Sequence, residues 1–264
     1  MQKCSIIICS TIKLRQVAFI NKGIILLKGA VKKIPIAFTK NQQYDKQTKQ
    51  IIKKICTAQS NCIDVGTHKG EILDLFIKNS PAGHHYGFEP IPSLYSALIK
   101  KYNHKTNVHL YDYALSDKER DAEFNYVVSN PAYSGLIKRR YDHKNEKDTT
   151  IKVHTQLLDA VIPADKKIDL IKIDVEGGEI NVLRGAVNTI AKSSPVIIFE
   201  SGLGGSELYG ATPEIIYALF QQFGYKLSLL KNYLTNKSFL SLNELEKEFN
   251  AGSNYYFVAY KFNQ

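Results

Sequence analysis

The sequence lacks several features that would assign it to a membrane, secreted or metal-binding class. An apolar run near the N-terminus, SIIICSTI, ends at Lys13, well short of the roughly 20 residues of a membrane-spanning helix. It also has no convincing signal-cleavage site. The cysteines form neither a CxxC pair nor a zinc-like cluster with histidine; they are Cys4, Cys9, Cys56 and Cys62. We therefore expect a cytoplasmic protein with reduced thiols.

Acidic residues are nearly absent from the first part of the chain. Residues 1–54 contain 12 Lys/Arg and one acid, Asp45, so their +11 against a total of +10 leaves −1 for the remainder. We predict a basic, helical extension over residues 1–55 and a main domain over residues 56–264. Apolar residues and lysines alternate over residues 11–34, which is typical of amphipathic helices. Such helices would pack on the domain, pair with a second copy in an oligomer, or lie peripherally on the anionic inner face of a membrane.

From residue 61 onward, strand patterns and helix patterns alternate. The predicted strands are 61–65, 84–90, 107–115, 168–174 and 195–201, and the predicted helices are 71–79, 93–102, 179–191 and 213–224, with two more strands closing the chain. This alternation predicts an α/β doubly wound sheet with mostly parallel strands flanked by helices. Residues 121–158 interrupt it, and we expect an inserted hairpin and loop region on the substrate side.

Acids and glycines stand at the ends of the first three predicted strands, where α/β sheets bind ligands. DVGTHKG contains Asp64, Gly66 and Gly70, and its glycines allow a tight turn and close approach to a helix N-terminus. Glu89 lies 25 residues beyond Asp64, a separation typical of an acid that binds ribose hydroxyls. Residues 112–114 lie at the end of the third predicted strand, where an adenine edge would lie. Each feature alone also fits an ordinary turn.

Several segments resemble the FkbM-type S-adenosylmethionine-dependent methyltransferases in their order and spacing. They are CIDVGTHKGEI, YGFEPIPSLYSAL, YDYALSD, QLLDAVI and IDLIKIDVEGGEINVLRGA followed by PVIIFE, over roughly residues 60–201. KIDVEGGE is the most specific of them, and residues 1–50 have no counterpart. The resemblance implies a Rossmann-like, seven-stranded class I methyltransferase fold, S-adenosyl-L-methionine as cofactor, and methyl transfer usually to a hydroxyl oxygen.

The resemblance also assigns the cofactor contacts. It places the methionine part of the cofactor against Asp64, Gly66 and Gly70, the ribose against Glu89, and the adenine against Asp112 and Ala114. The family usually has Ala-Asn where this chain has Thr67-His68, which leaves a contact from His68 open. A nicotinamide enzyme is disfavoured, because His68 occupies the middle-glycine position of its Gly-x-Gly-x-x-Gly pattern.

The segment DLIKIDVEGGE ends the fourth predicted strand in acids. In an extended backbone, Asp174 and Glu176 project to the same side, and two neighbouring carboxylates raise the pKa of one of them. We predict that these two acids, with Glu200 from the adjacent strand end, act on the proton of an acceptor hydroxyl. The same acids could instead bind divalent Mg²⁺, an alternative that the sequence leaves open and that we do not predict. We interpret Glu179 as a helix-dipole residue.

Two other features are weaker candidates for catalysis. The segment NPAY (130–133) is similar to the Asn-Pro-Pro-Tyr motif of amino-group methyltransferases, but that motif belongs at the fourth strand end, where DVEG stands. We interpret the overlapping YSGL as an element of the substrate loop. His68 and His154 are alternative bases, each isolated in the sequence.

These observations favour an O-methyltransferase that acts on a sugar, a glycan, a glycolipid or another small molecule. A nucleic-acid methyltransferase that grips phosphates with the basic extension is one alternative, and a non-catalytic cofactor-binding scaffold is another. The main domain is near neutral and contains no recognised RNA-binding module, which argues against nucleic acid. The acceptor's identity, metal dependence and oligomeric state are left open by the sequence.

Overall fold

The protein is described by a computed structural model over residues 39–141 and 145–262. The predicted amphipathic helices of residues 11–34, together with Cys4 and Cys9, lie outside the described residues. The chain separates into two units, Met1–Gln43 and Tyr44–Gln264, and the predicted boundary after residue 55 stays a prediction. None of the helices in the described ranges is long and apolar enough to cross a bilayer. Cys56 and Cys62 are free thiols.

Helices and strands alternate through most of the described chain. The helices are α1 (Lys40–Ile55), α2 (Glu71–Asn79), α3 (Pro92–Tyr102), α4 (Leu158–Val161), α5 (Glu179–Arg184), α6 (Val187–Ser193), α7 (Pro213–Gln222), α8 (Leu230–Leu234) and α9 (Leu242–Ala251). The strands are β1 (Cys62–Val65), β2 (His85–Phe88), β3 (Val108–Tyr111), β4 (Ala114–Leu115), β5 (Arg120–Val127), β6 (Asp148–Gln156), β7 (Leu170–Ile173), β8 (Val196–Glu200), β9 (Tyr225–Leu229) and β10 (Tyr256–Lys261). Short 3₁₀ turns cover Pro131–Tyr133 and Ser206–Tyr209.

The helix predicted over 179–191 is two helices in the structure. Gly185 ends α5 and packs so tightly that a Cβ there would lie 2.1 Å from the carbonyl oxygen of Ser116. Asp159 then caps the start of α6, because its carboxylate accepts hydrogen bonds from the backbone amides of Asn188 and Thr189, each at 2.8 Å. A tertiary contact and a cap from outside the helix therefore set a break that the apolar pattern of 179–191 does not reveal.

The main sheet has seven strands in the order β3-β2-β1-β7-β8-β10-β9. All neighbouring strands run parallel except β10, which is antiparallel to both β8 and β9. This confirms the predicted seven-stranded, mostly parallel sheet flanked by helices. The strand order reverses between β1 and β7, because the chain moves outward from β1 to β3 and then returns to place β7 on the other side of β1. Ligands bind at such a switch point, outside the carboxyl ends of the strands.

Alternate strand residues build a core on each face of the main sheet. One apolar cluster contains Ile63, Ile171 and Phe199, and the other contains Cys62, Leu170 and Ile198. Because successive side chains point to opposite faces, Lys172 lies on the same face as Leu170, inside an otherwise apolar strand. It is 6% exposed and pairs in register with Asp64 of β1. Two ionisable side chains are thus buried side by side at the centre of the sheet.

The predicted insertion forms a small second sheet. Strands β5 and β6 make an antiparallel hairpin, and β4 pairs with β6, giving the order β4-β6-β5. The backbone of Gly135 exchanges hydrogen bonds of 2.9 and 3.1 Å with that of Asn125, so the segment after the 3₁₀ turn folds back on the hairpin. This places residues 134–139 beside the turn that follows β7, through the contacts described below.

Candidate active site

Most sequence-predicted site residues lie at the carboxyl edge of the main sheet. Asp64 is the penultimate residue of β1, and Glu200 ends β8. Glu89, Asp112 and Asp174 directly follow β2, β3 and β7. Ala114 lies apart from them, because it is buried in β4 and packs with the core of the small sheet. Asp112 is exposed. The adenine contacts assigned to Asp112 and Ala114 stay predictions.

The turn after β1 depends on glycine at Gly66. Its φ of +81° is left-handed, and a Cβ there would lie 1.9 Å from the carbonyl oxygen of Asp174. The ends of β1 and β7 therefore meet at this residue. Gly70 also has a left-handed φ, +80°, and a Cβ there would lie 2.4 Å from the hydroxyl of Tyr102. In the structure, packing against α3 accounts for the glycine at position 70.

Glu89 ties this turn to the end of β2. Its Oε2 accepts a hydrogen bond of 2.7 Å from the backbone amide of His68, and its Oε1 accepts one of 3.0 Å from that of Ile91. Burial raises the pKa of Glu89 to about 7 in spite of these two bonds. His68 has a φ of +50°, a region that His and Asn enter more readily than most residues. This conformation fits His68 at a position where the family usually has Asn.

Asp64 is a buried carboxylate whose hydrogen-bonding capacity is unused. It is 1% exposed, and no group in the described ranges donates a hydrogen bond to either carboxylate oxygen. Burial raises the pKa of Asp64 to about 7, although the charge of Lys172 acts in the opposite direction. A buried acceptor without a donor is costly. An ammonium group of a ligand at the carboxyl edge would supply such a donor.

Three acids form a compact cluster at the ends of β7 and β8, which we call the acid trio: Asp174, Glu176 and Glu200. One carboxylate oxygen from each lies within 4.8 Å of the others. We expected an extended backbone to place the side chains of Asp174 and Glu176 on the same side, but the backbone is not extended there. β7 ends at Ile173, and Glu176 has a left-handed φ of +58°. A turn brings the carboxylates together.

Glu179 stabilises the turn that carries Glu176. It is the first residue of α5, as expected for a helix-dipole residue. In addition, its Oε1 accepts hydrogen bonds from the backbone amides of Val175 at 2.9 Å and Gly177 at 3.2 Å. Burial raises the pKa of Glu179 to about 7. Glu179 is therefore part of the scaffold that positions the acid trio.

Asp174 is held as an anion by two residues that the sequence reading missed. Its Oδ2 accepts hydrogen bonds from Lys172 Nζ and from Tyr256 Oη, both at 2.5 Å. Burial alone would raise the pKa of Asp174, but the charge of Lys172 and hydrogen bonds from Glu200, Lys172 and Tyr256 lower it to about 2. Lys172 was detectable as a lysine within the apolar strand LIKI. Tyr256 is 82 positions from Asp174 and had no local signal.

The other two members of the acid trio have raised pKa values. Burial and the charge of Asp174 raise the pKa of Glu176 to about 8, although the guanidinium of Arg139 opposes the shift. Burial and the same charge raise the pKa of Glu200 well above its ordinary value. The trio therefore combines one fixed negative charge with two carboxyls of raised pKa, an arrangement suited to acid–base chemistry.

The insertion contacts the acid trio through Arg139, another residue that the sequence reading missed. Its guanidinium forms a short, largely buried ion pair with the carboxylate of Glu176. Nearby, the backbone amide of Ile137 donates a hydrogen bond of 2.9 Å to the hydroxyl of Tyr209, from the loop after β8. The insertion thus contacts both the turn after β7 and the loop after β8.

Two weaker catalytic candidates, His154 and the NPAY segment, lie outside the acid trio. His154 is on β6 of the hairpin, where its ring contacts Asp121 at 3.0 Å and Glu119 at 3.6 Å, and it does not belong to the acid trio. The NPAY segment lies in the insertion, with Pro131–Tyr133 forming a 3₁₀ turn. The end of β7 is occupied by Asp174 and its turn.

The seven-stranded sheet, with its single antiparallel strand β10, is that of the class I methyltransferase fold. A family model described as the methyltransferase FkbM domain matches residues 64–227, and the chain belongs to that family. Its cofactor is therefore S-adenosylmethionine. At the β1–β2 end of the carboxyl edge, the unused carboxylate oxygens of Asp64 fit the ammonium group of this molecule. The individual contacts of Asp64, Gly66, Gly70 and Glu89 stay predictions.

Similar proteins include 2-O-methyltransferase NoeI of Sinorhizobium fredii (strain NBRC 101917 / NGR234), which is 26% identical over 159 residues. The match covers 55% of this chain and 65% of NoeI, slightly less than two thirds of its length. Among solved structures, methyltransferase FkbM from Methylobacillus flagellatus KT is 14% identical with a TM-score of 0.48, over 77% of this chain and 44% of that chain. SMU.1697c, a putative methyltransferase from Streptococcus mutans in complex with SAH, is 10% identical with a TM-score of 0.44, over 81% and 94%.

Proposed function

We propose that this methyltransferase methylates a hydroxyl oxygen of a sugar, glycan, glycolipid or other small molecule. The observation that carries the proposal is the acid trio, in which Glu176 has a pKa of about 8 beside the permanently charged Asp174. A hydroxyl acceptor must lose its proton as its oxygen bonds to the methyl carbon, so it needs a base whose pKa lies near the working pH. The name of NoeI, a 2-O-methyltransferase, supports oxygen as the acceptor atom.

The residues of the trio have separate tasks in this proposal. When bound, S-adenosylmethionine supplies an electrophilic methyl group. Glu176 in its ionised form accepts the proton of the acceptor hydroxyl, and the fixed charge of Asp174 makes Glu176 a stronger base. Arg139 holds the Glu176 carboxylate through its ion pair. Lys172 and Tyr256 keep Asp174 ionised and in place.

A divalent metal held by the trio is the second candidate mechanism. The compact set of carboxylate oxygens suits such an ion. The hydrogen bonds to Asp174 argue against it, because Lys172 and Tyr256 both donate to Oδ2 and Lys172 already supplies a compensating positive charge. We therefore favour direct proton removal by Glu176.

The proposal is tested by a methyl-transfer screen with labelled cofactor against sugar nucleotides, glycolipids and glycan extracts. On an acceptor so identified, Glu176→Gln should lower turnover by about 10²- to 10⁴-fold, the usual scale of general acid–base catalysis. Cofactor affinity, measured by calorimetry, should change far less. Glu207→Gln is the matched control, because Glu207 is an exposed acid on the loop after β8. Within the described residues its carboxylate bonds to the backbone amide of Gly204, away from the acid trio.

Three results would contradict the proposal. Turnover of Glu176→Gln within tenfold of wild type would remove Glu176 as the base. Loss of activity with a chelator and recovery with Mg²⁺ would establish the metal mechanism instead. Labelling confined to nucleic acid, or cofactor binding without transfer to any acceptor class, would favour the nucleic-acid or scaffold alternatives.

A further inference from the structure

A continuous group of aromatic rings lies on the antiparallel side of the main sheet. Tyr233 and Tyr260 have ring centroids 4.6 Å apart, Phe239 and Tyr260 are 5.7 Å apart, and Phe239 and Phe262 are 5.1 Å apart. The rings meet edge to face or tilted. Phe262, at the end of this series, is 56% exposed. We call these four residues, with Lys54 and Lys226, the aromatic–basic patch.

Two lysines complete the patch. The ammonium group of Lys54 lies 4.6 Å from the ring centroid of Tyr233, and that of Lys226 lies 6.0 Å from the centroid of Phe239. Neither lysine forms an ion pair with an acid in the described ranges, and Lys226 is exposed. The patch therefore presents an exposed phenyl ring together with two positive charges that are not paired with any acid of the described residues.

The arrangement of the rings favours one class of partner over another. Nucleobases bind by stacking on open aromatic faces. Here, Lys54 and Lys226 lie over the rings of Tyr233 and Phe239, and the aromatic neighbours meet at steep angles. Binding to a bilayer interface does not require an open aromatic face, because a phenyl ring inserts as a whole while lysines remain at the headgroups. The positive charge is complementary to anionic headgroups.

The patch is remote from the acid trio along the sheet. Strand β10 places Tyr256 opposite Glu200 at the carboxyl end of β8, whereas Ala259 is opposite Ile197, near the start of β8. Tyr260 and Phe262 therefore lie toward the edge opposite the trio. We propose that the aromatic–basic patch binds an anionic phospholipid surface and leaves the active site open to its acceptor.

The test is cosedimentation of the full chain with vesicles of phosphatidylcholine containing about 30 mol% phosphatidylserine, which models an anionic leaflet. We expect binding that weakens with salt and is absent with phosphatidylcholine alone. Lys226→Gln should weaken the partition by about fivefold, the usual effect of one lysine near such a surface. Phe262→Ser should also weaken it. The matched control is Ile99→Ser, because Ile99 is a 42% exposed apolar residue on α3, away from the patch.

The basic extension is present in every variant, so differences between variants report on the patch. Thermal unfolding should show each variant folded, since Lys226 and Phe262 are both exposed. The proposal is overturned if wild type and patch variants bind the anionic vesicles equally, or if wild type does not bind them. It is also overturned if the patch variants lose affinity for a single-stranded oligonucleotide while retaining affinity for vesicles.

Discussion

Replacing Asp174 with asparagine should destabilise the protein as well as impair catalysis. The change removes the negative charge that compensates Lys172, whose side chain is 8% exposed. Breaking a buried ion pair by removing one partner costs about 3 to 5 kcal/mol of unfolding free energy. We expect about 3 kcal/mol, the lower end of that range, because the side chain of Asp174 retains 25% exposure.

Glu176→Gln is the informative comparison, because the two acids have pKa shifts of opposite sign. The structure favours the charged form of Asp174 and the neutral form of Glu176. A neutral amide at position 176 removes the carboxylate that pairs with Arg139, but it also removes a carboxyl that burial makes costly to ionise. Glu176→Gln should therefore cost only about 1 kcal/mol of unfolding free energy near pH 7, clearly less than Asp174→Asn. The two isosteric substitutions should give clearly different stabilities.

Urea unfolding followed by circular dichroism, without cofactor, measures this difference. A loss of about 3 kcal/mol lowers the midpoint by roughly 1 M or more, given typical slopes. Adding Lys172→Met to Asp174→Asn should recover much of the loss, since no uncompensated ammonium then remains. Equal midpoints for Asp174→Asn and Glu176→Gln, or no recovery in the double variant, would refute the argument that Lys172 and Asp174 compensate each other.

Three further predictions concern the cofactor edge. Gly66→Ala should lower the unfolding free energy by several kcal/mol in urea unfolding, because the new Cβ would lie 1.9 Å from the carbonyl oxygen of Asp174. The control is Gly210→Ala, where φ is +71° but the space is open, so only the left-handed backbone costs about 1 to 2 kcal/mol. Equal losses would show that the close approach is unimportant. Glu89→Gln should weaken S-adenosylmethionine binding in calorimetry by at least about tenfold, the scale of a charged hydrogen bond; unchanged affinity would remove its ribose assignment. The melting temperature of the cofactor-free protein should fall as pH rises from about 4.5 to about 7, because unfolding lets the buried acids with raised pKa values ionise. The lowered pKa values of His68, His85 and His109 act in the opposite direction, but the acids outnumber them. A flat or rising melting temperature over this window would contradict those shifts.

The sequence was sufficient to predict the fold and to place the acids of the candidate site at one edge of the sheet. Alternating strand and helix patterns predict parallel strands, and parallel strands place their carboxyl ends on one edge, so acids that follow strands gather there. Asp64, Glu89, Asp174 and Glu200 could therefore be assigned to one edge from spacing alone. The break between α5 and α6 could not, because a neighbouring backbone and the carboxylate of Asp159 determine it.

By itself, the sequence determined the family, the approximate positions of the strands along the chain, and the acids that stand at the strand ends. Only the tertiary structure decided which of those acids is charged. Asp174 receives its hydrogen bond from Tyr256, 82 residues away, and Glu176 its ion pair from Arg139, 37 residues away. A carboxyl's pKa depends on burial and on charges within a few ångströms, and these distances are set by how the sheet, the turn after β7 and the insertion pack together.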